Sequence, residues 1–101
     1  MLESTVENYL VRRVKDIGGE IRKVQFIGRR GAPDRLAMFP FGPCVWIELK
    51  RPGAVAEPHQ VREHDRMRAM GQTVIVIDTK AGVDTFIKWV LIRCSFVHLK
   101  Q

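Results

Sequence analysis

Asp34, Glu48 and Lys50 are the residues of this chain whose types and spacing could do chemistry together. Asp34 closes the stretch Gly31-Ala32-Pro33-Asp34, and Glu48 and Lys50 flank Leu49 at the end of an apolar run. Between them lie two short apolar segments, Arg35 to Phe39 and Cys44 to Leu49, separated by Pro40-Phe41-Gly42-Pro43. The double-proline turn forces a reversal, so the segments read as the two strands of a hairpin. Residues two apart on a strand share a face, so Glu48 and Lys50 project together while Leu49 turns away. A loop from Phe39 to Pro43 would set Met38 opposite Cys44, Leu36 opposite Trp46 and Asp34 opposite Glu48. The two carboxylates would then stand roughly 5 Å apart at their Cβ atoms. Like charges that close repel, and a divalent cation with oxygen ligands is the usual relief. The expected chemistry is that of a hard metal ion with an ammonium beside it. It depends on register, because a one-residue slip would send Asp34 to the wrong face.

The elements that must position these residues follow from periodicity. From Leu2 to Ile17 the apolar residues Leu2, Val6, Tyr9, Leu10, Val14 and Ile17 recur at helical steps, and Gly18-Gly19 ends the run. Ser4-Thr5-Val6-Glu7 has the spacing of a capping box, in which Glu7 reaches back to the Ser4 N–H. Alternatively Glu7, or Glu3 one turn earlier, approaches the metal from a helix laid over the sheet. Glu20 to Phe26 reads as a half-exposed strand, and Ile27 to Pro33 as a Gly- and Arg-rich loop. Arg29 and Arg30 in that loop are either solvated or suited to phosphate, whose oxygens match the guanidinium fork. Pro58 opens a helix to about Met70 with a thin apolar stripe, Val61, Met67 and Met70, and charged sides left for solvent or DNA. Gln60 lies near its N-terminus, where the dipole favours an anion; taken alone it reads as a surface residue. Thr73 to Ile77 is a continuous β-branched run, the pattern of a central strand buried on both faces. A last helix carries Val83, Phe86, Ile87, Val90, Leu91 and Cys94, widened by Trp89 and Ile92. That is more apolar surface than one sheet face needs, and it suits a subunit interface or core. Ser95 to Gln101 fits a final strand or a continuation of that helix. The order is α-β-β-β-α-β-α, an α/β layered domain with a mixed sheet.

Composition bounds the possibilities. A chain of 101 residues suits one domain, 1–101, with one core. At 46% hydrophobic and 28% charged it is an ordinary globular chain, with no apolar run able to span a bilayer and no leader, so the cytoplasm is the expected address. Cys44 and Cys94 lack metal or disulfide spacing and read as small core residues. A net charge of +6 favours a polyanion, nucleic acid first and an anionic membrane surface second. Arg29, Arg30, Arg35, Lys50 and Arg51 all flank the carboxylates in sequence.

Asp34, then thirteen residues to Glu48, then one to Lys50, with a helix before and a helix after, resembles the PD-(D/E)xK nuclease superfamily. Within it the chain resembles the small stand-alone VRR-NUC domains over nearly its whole length. The matched parts are the Glu-bearing first helix, Gly31-Ala32-Pro33-Asp34, Glu48-Leu49-Lys50 and Gln60 opening the next helix. The resemblance implies a restriction-endonuclease-like αβββαβα core with a mixed central sheet flanked by helices. It implies that Asp34, Glu48 and the Leu49 carbonyl hold Mg²⁺ or Mn²⁺, that Lys50 positions or activates the attacking water, and that Glu7 or Glu3 helps through the metal's water shell. Gln60 becomes an active-site residue, and Arg29, Arg30, Arg35, Arg51 and His59 the DNA contacts. His59 and His64 are read as DNA-facing or surface residues, not ligands. The implied activity is phosphodiester hydrolysis in DNA by a homodimer acting on branched or four-way-junction DNA, without a membrane partner, in bacteria or phages. The alternative is a non-catalytic DNA-binding module of the same fold.

Overall fold

The computed structural model describes the backbone of residues 3–42 and 44–100 and the side chains of 4–42 and 44–93. The side chains of Glu3 and Cys94, and all of Pro43, lie outside the described residues. Seven elements occur in the expected order: α1 Glu3–Asp16, β1 Glu20–Lys23, β2 Arg35–Met38, β3 Val45–Leu49, α2 Pro58–Ala69, β4 Thr73–Ile77 and α3 Lys80–Lys100. The last segment is therefore helix, not strand. Among the described residues, no helix is long and apolar enough to cross a membrane.

α1 buries Val6, Leu10 and Val14 completely, the four-residue steps that put them on one stripe. Its end is closed by Gly18 N–H to Lys15 O at 3.0 Å and Gly19 N–H to Val14 O at 2.9 Å, a Schellman pattern. Because the helix already runs at Glu3, Ser4 lies inside it and cannot cap it. Glu7 is instead drawn to basic partners on the sheet, so the capping-box expectation fails.

The strands form one sheet in the order β1-β2-β3-β4. β1, β2 and β3 are antiparallel, and β4 joins β3 in parallel through the α2 crossover. β4 is thus an edge strand, not a central one, and Val76 is 40% exposed. The β-branched run there reports strand propensity; among the described residues no further strand covers its outer side. β1 ends at Lys23, three residues before Phe26, where the chain leaves the ladder.

The core lies between the sheet and the α1/α3 layer. Ala37, Val45, Ile47, Leu49 and Ile77 pack there against Val83, Phe86, Ile87 and Val90 of α3. Replacing a fully buried residue such as Leu10 by Ala would cost about 2–5 kcal/mol. α2 covers the opposite face of the sheet in an unexpected way. Val61 and Met70 of its supposed apolar stripe are exposed, and the buried residues are Glu63 and His64. Cys44 is also exposed, not core.

Candidate active site

The hairpin fixes the site. Arg35 pairs with Ile47, Leu36 with Trp46 and Ala37 with Val45, the register expected from the turn. Carried one residue further, it sets Asp34 opposite Glu48 at the open end of the ladder. Alternation sends Arg35, Ala37, Ile47 and Leu49 toward the α1/α3 layer and Leu36, Trp46 and Glu48 toward α2. Lys50 follows directly, its N–H donating to Ile77 O at 2.9 Å, so the ends of β3 and β4 stay together.

The turn before Asp34 is held on both sides. Val24 N–H donates to Asp34 O at 2.9 Å. Gly31, at φ +87°, lies so close to α2 that a Cβ would meet His59 O at 2.7 Å. Only glycine takes this backbone conformation and this approach without strain. Pro33 is fully buried between them. Asp34 itself stays open, with its side chain 57% exposed beside a groove of about 490 Å³ lined by Lys23, Val24, Gln25, Asp34 and Arg35. Glu48 is only 7% exposed.

Arg35 corrects one expectation. It is buried, with Nη2 donating to Glu7 Oε2 at 2.6 Å and Nη1 2.9 Å from Asp34 Oδ2, so its guanidinium is engaged in bridging α1 to the site, where an exposed phosphate contact had been expected. Burial opposes its charge, but the bonds to Glu7 and the charge of Asp34 outweigh that and raise its pKa. Glu7 also lies 3.8 Å from Lys23 Nζ. Gln60 spends its side-chain oxygen on the Glu57 N–H at 2.8 Å, closing the first turn of α2. His59 is half-buried beside Gly31, while Arg30 and Arg51 are exposed. Arg29 is exposed but tethered, Nη1 3.4 Å from Glu63.

Sequence reasoning passed over Glu63 and read His64 as a DNA-facing or surface residue; both are buried. Glu63 is buried and held by Arg66 at 2.8 Å as well as by Arg29. His64 is 1% exposed, with Nε2 3.7 Å from Glu48 Oε1. Burial first, then the charges of Arg68 and Lys50, hold its imidazole below the ordinary value. The signal available was spacing. His64 sits one helical turn after Gln60, on a helix with too few apolar residues to dock by itself.

Among the described residues, no three His, Cys, Asp or Glu side chains converge as a metal cage. Two opposed carboxylates with an open groove suit Mg²⁺ or Mn²⁺ better than zinc. Mg²⁺ takes one or two carboxylates and keeps waters or substrate phosphates for the rest.

No family model matches the chain. Over 78 residues it is 45% identical to "Putative nuclease p44" of Acyrthosiphon pisum secondary endosymbiont phage 1, covering 77% of this chain and 84% of that protein. Its fold is similar to a solved VRR_NUC domain with a TM-score of 0.78 and 38% identity, over 85% of this chain and 94% of the other. At this identity and coverage, and with this similarity of fold, the chain belongs to the VRR-NUC family of nuclease domains.

Proposed function

We propose that the chain is a metal-dependent endonuclease that hydrolyses phosphodiester bonds in DNA, selective for branched or four-way-junction substrates. The observation that supports this reading is the hairpin register: Arg35 pairs with Ile47, so Asp34, the residue before Arg35, comes to the end of β3 where Glu48 and Lys50 lie. Mg²⁺ or Mn²⁺ would be held by Asp34, Glu48 and the Leu49 carbonyl; when bound, it neutralises phosphate charge and acidifies a water.

The chain's own groups do the rest. Lys50, whose backbone is anchored by its N–H bond to Ile77 O, would bring its ammonium to orient the attacking water and meet the negative charge that develops on the phosphate. Glu7 acts on Asp34 through Arg35, which bonds to both, and Gln60 holds the start of α2 against the Gly31 turn. Arg29, Arg30 and Arg51 are exposed and His59 is half-buried beside Gly31, and these residues would receive the DNA backbone. The +6 net charge supports the choice of a polyanion.

Junction selectivity requires two sites at a set spacing, and hence a homodimer. An open apolar groove of about 390 Å³ between β4 and α3, lined by Val76, Phe86 and Trp89 among others, supports that assembly on the side of the sheet away from β1. The enzyme would act in the cytoplasm of a bacterial or phage-infected cell, where such DNA is found. The test is a cleavage panel of linear duplex, flap, fork and four-way-junction DNA, with and without Mg²⁺. Metal-dependent cutting, strongest on the junction, is expected; binding of every substrate with no cutting of any would leave a DNA-binding module instead.

A further inference from the structure

Outside the hairpin the molecule carries three further features: the apolar β4/α3 groove, the buried Glu63–His64 pair, and a basic groove between α1 and α3. The first belongs to the homodimer already proposed, and the second to the site itself. The third has no assigned role. Thr5, Asn8, Tyr9, Arg12 and Lys80 line an open groove of about 360 Å³.

Its charges are arranged around one ring. Tyr9 is fixed by its hydroxyl donating to Asp84 Oδ1 at 2.5 Å. Over that ring stand Arg12 Cζ at 5.4 Å and Lys80 Nζ at 5.3 Å from the centroid, with Arg13 at 5.9 Å. Asp84 lies 3.8 Å from Arg13. Among the described residues, no carboxylate comes within ion-pair distance of Arg12 or Lys80. Two cations gathered on one ring repel each other unless an anion joins them, and cation–π attraction offsets only part of that. Lys80 also opens α3, where the helix dipole adds positive potential. Thr5 and Asn8 supply hydrogen-bonding groups alongside.

Position ties the groove to the candidate active site. β3 and β4 run parallel, Leu49 beside Ile77, so the chain leaves both strands at the same end of the sheet. Lys50 emerges there from β3, and Lys80 three residues after Ile77 from β4. Glu7, on the turn of α1 between Thr5 and Asn8, reaches Arg35 and through it Asp34. A duplex backbone carries a charge about every 1.7 Å of axis, so phosphates flanking the cleaved bond must continue past the site in both directions. The α2 side offers Arg30 and Arg51; the α1/α3 side offers this groove.

We propose that the Tyr9 groove, through Arg12 and Lys80, is a second DNA-backbone contact, holding phosphates on the α1/α3 side of the cleavage point. The inference rests on the DNA reading above and extends it to a second surface. It is tested by fluorescence anisotropy of labelled duplex and junction DNA in EDTA, so that nothing is cut, across a range of KCl. Arg12→Ala/Lys80→Ala should weaken binding about tenfold and flatten the log–log salt slope by about two, one per lost phosphate contact. Arg12→Lys/Lys80→Arg should keep the wild-type slope. Lys15→Ala, at the far end of α1, should bind within about twofold of wild type. Wild-type affinity and slope in the double alanine protein, with wild type binding DNA normally, overturn the groove alone. Failure of the wild type to bind any DNA overturns the nuclease reading and the groove with it.

Discussion

Arg35 donates from Nη2 to Glu7 Oε2 at 2.6 Å, joining the first helix to the head of the strand that carries Asp34. Removing one partner leaves the other charge buried without it. For a fully buried pair that costs about 3–5 kcal/mol. Glu7 keeps a 22% exposed side chain, so Glu7→Ala should cost about 2 kcal/mol, lowering the melting temperature by about 10 °C in a domain of this size. The paired change Glu7→Leu/Arg35→Met should recover most of that stability while leaving cleavage impaired. Urea unfolding of both proteins is the check, and a Glu7→Ala protein as stable as wild type would contradict the role given to this pair.

His64 gives stability a pH dependence of definite sign. Its folded pKa lies below 6.5, because of burial and the positive charges of Arg68 and Lys50, with Asp65 and Glu63 pulling the other way. The unfolded chain therefore binds a proton that the folded chain refuses. Stability should be flat above about pH 6.5 and fall as pH drops below it, toward the lowered value. In EDTA, the urea midpoint of wild type should decrease between about pH 7.5 and about pH 5.5, and that of His64→Gln should change much less. Equal pH dependence in the two proteins would show that His64 is not the group responsible.

Gly31 packs its backbone against the first turn of α2. At φ +87°, with a Cβ facing His59 O at 2.7 Å, Gly31→Ala must pay left-handed strain and displace the turn that sets Asp34. A loss of about 2 kcal/mol or more is expected, with a matching loss of cleavage. Gly53→Ala, at φ +85° with nothing within 4 Å, should cost only the backbone strain, about 1 kcal/mol. Comparing the two by thermal unfolding separates the contact from the conformation, and equal losses would remove the contact.

These cases show what could be read from residue order. The register of β2 against β3 was legible because a turn containing two prolines and a strict alternation leave few pairings. The same alternation held the signal for Arg35: if Asp34 faces Glu48, the next residue must share the face of Ala37 and Ile47. Its basic neighbours made it look like a DNA contact instead. The edge position of β4 was hidden, since a β-branched run has the same pattern whether or not another strand lies beyond it. His64 and Glu63 were hidden for a different reason. Their burial depends on Glu48 and Arg29, which are brought to them only when the crossover lays α2 on the sheet; Arg66, one turn along α2 from Glu63, is a local partner.

The apolar surface of β4 and α3 gives a prediction about assembly. Val76, Trp89, Leu91 and Ile92 are all exposed on this small chain. Light scattering after size exclusion at micromolar concentration should give twice the 11.6 kDa chain mass, and Val76→Glu/Trp89→Glu should return it to one. A wild-type protein with the mass of one chain would exclude the homodimer.

The proposed cleavage depends on Asp34, Glu48 and Lys50 acting as one unit. Cleavage of a four-way junction should be followed over a Mg²⁺ titration for wild type, Asp34→Asn, Glu48→Gln and Lys50→Met, each checked for folding by circular dichroism. Wild type should cut only with the metal, and each variant should lose about a hundredfold or more of the rate. Undiminished cutting in EDTA, or by any one of the three variants in Mg²⁺, would contradict it.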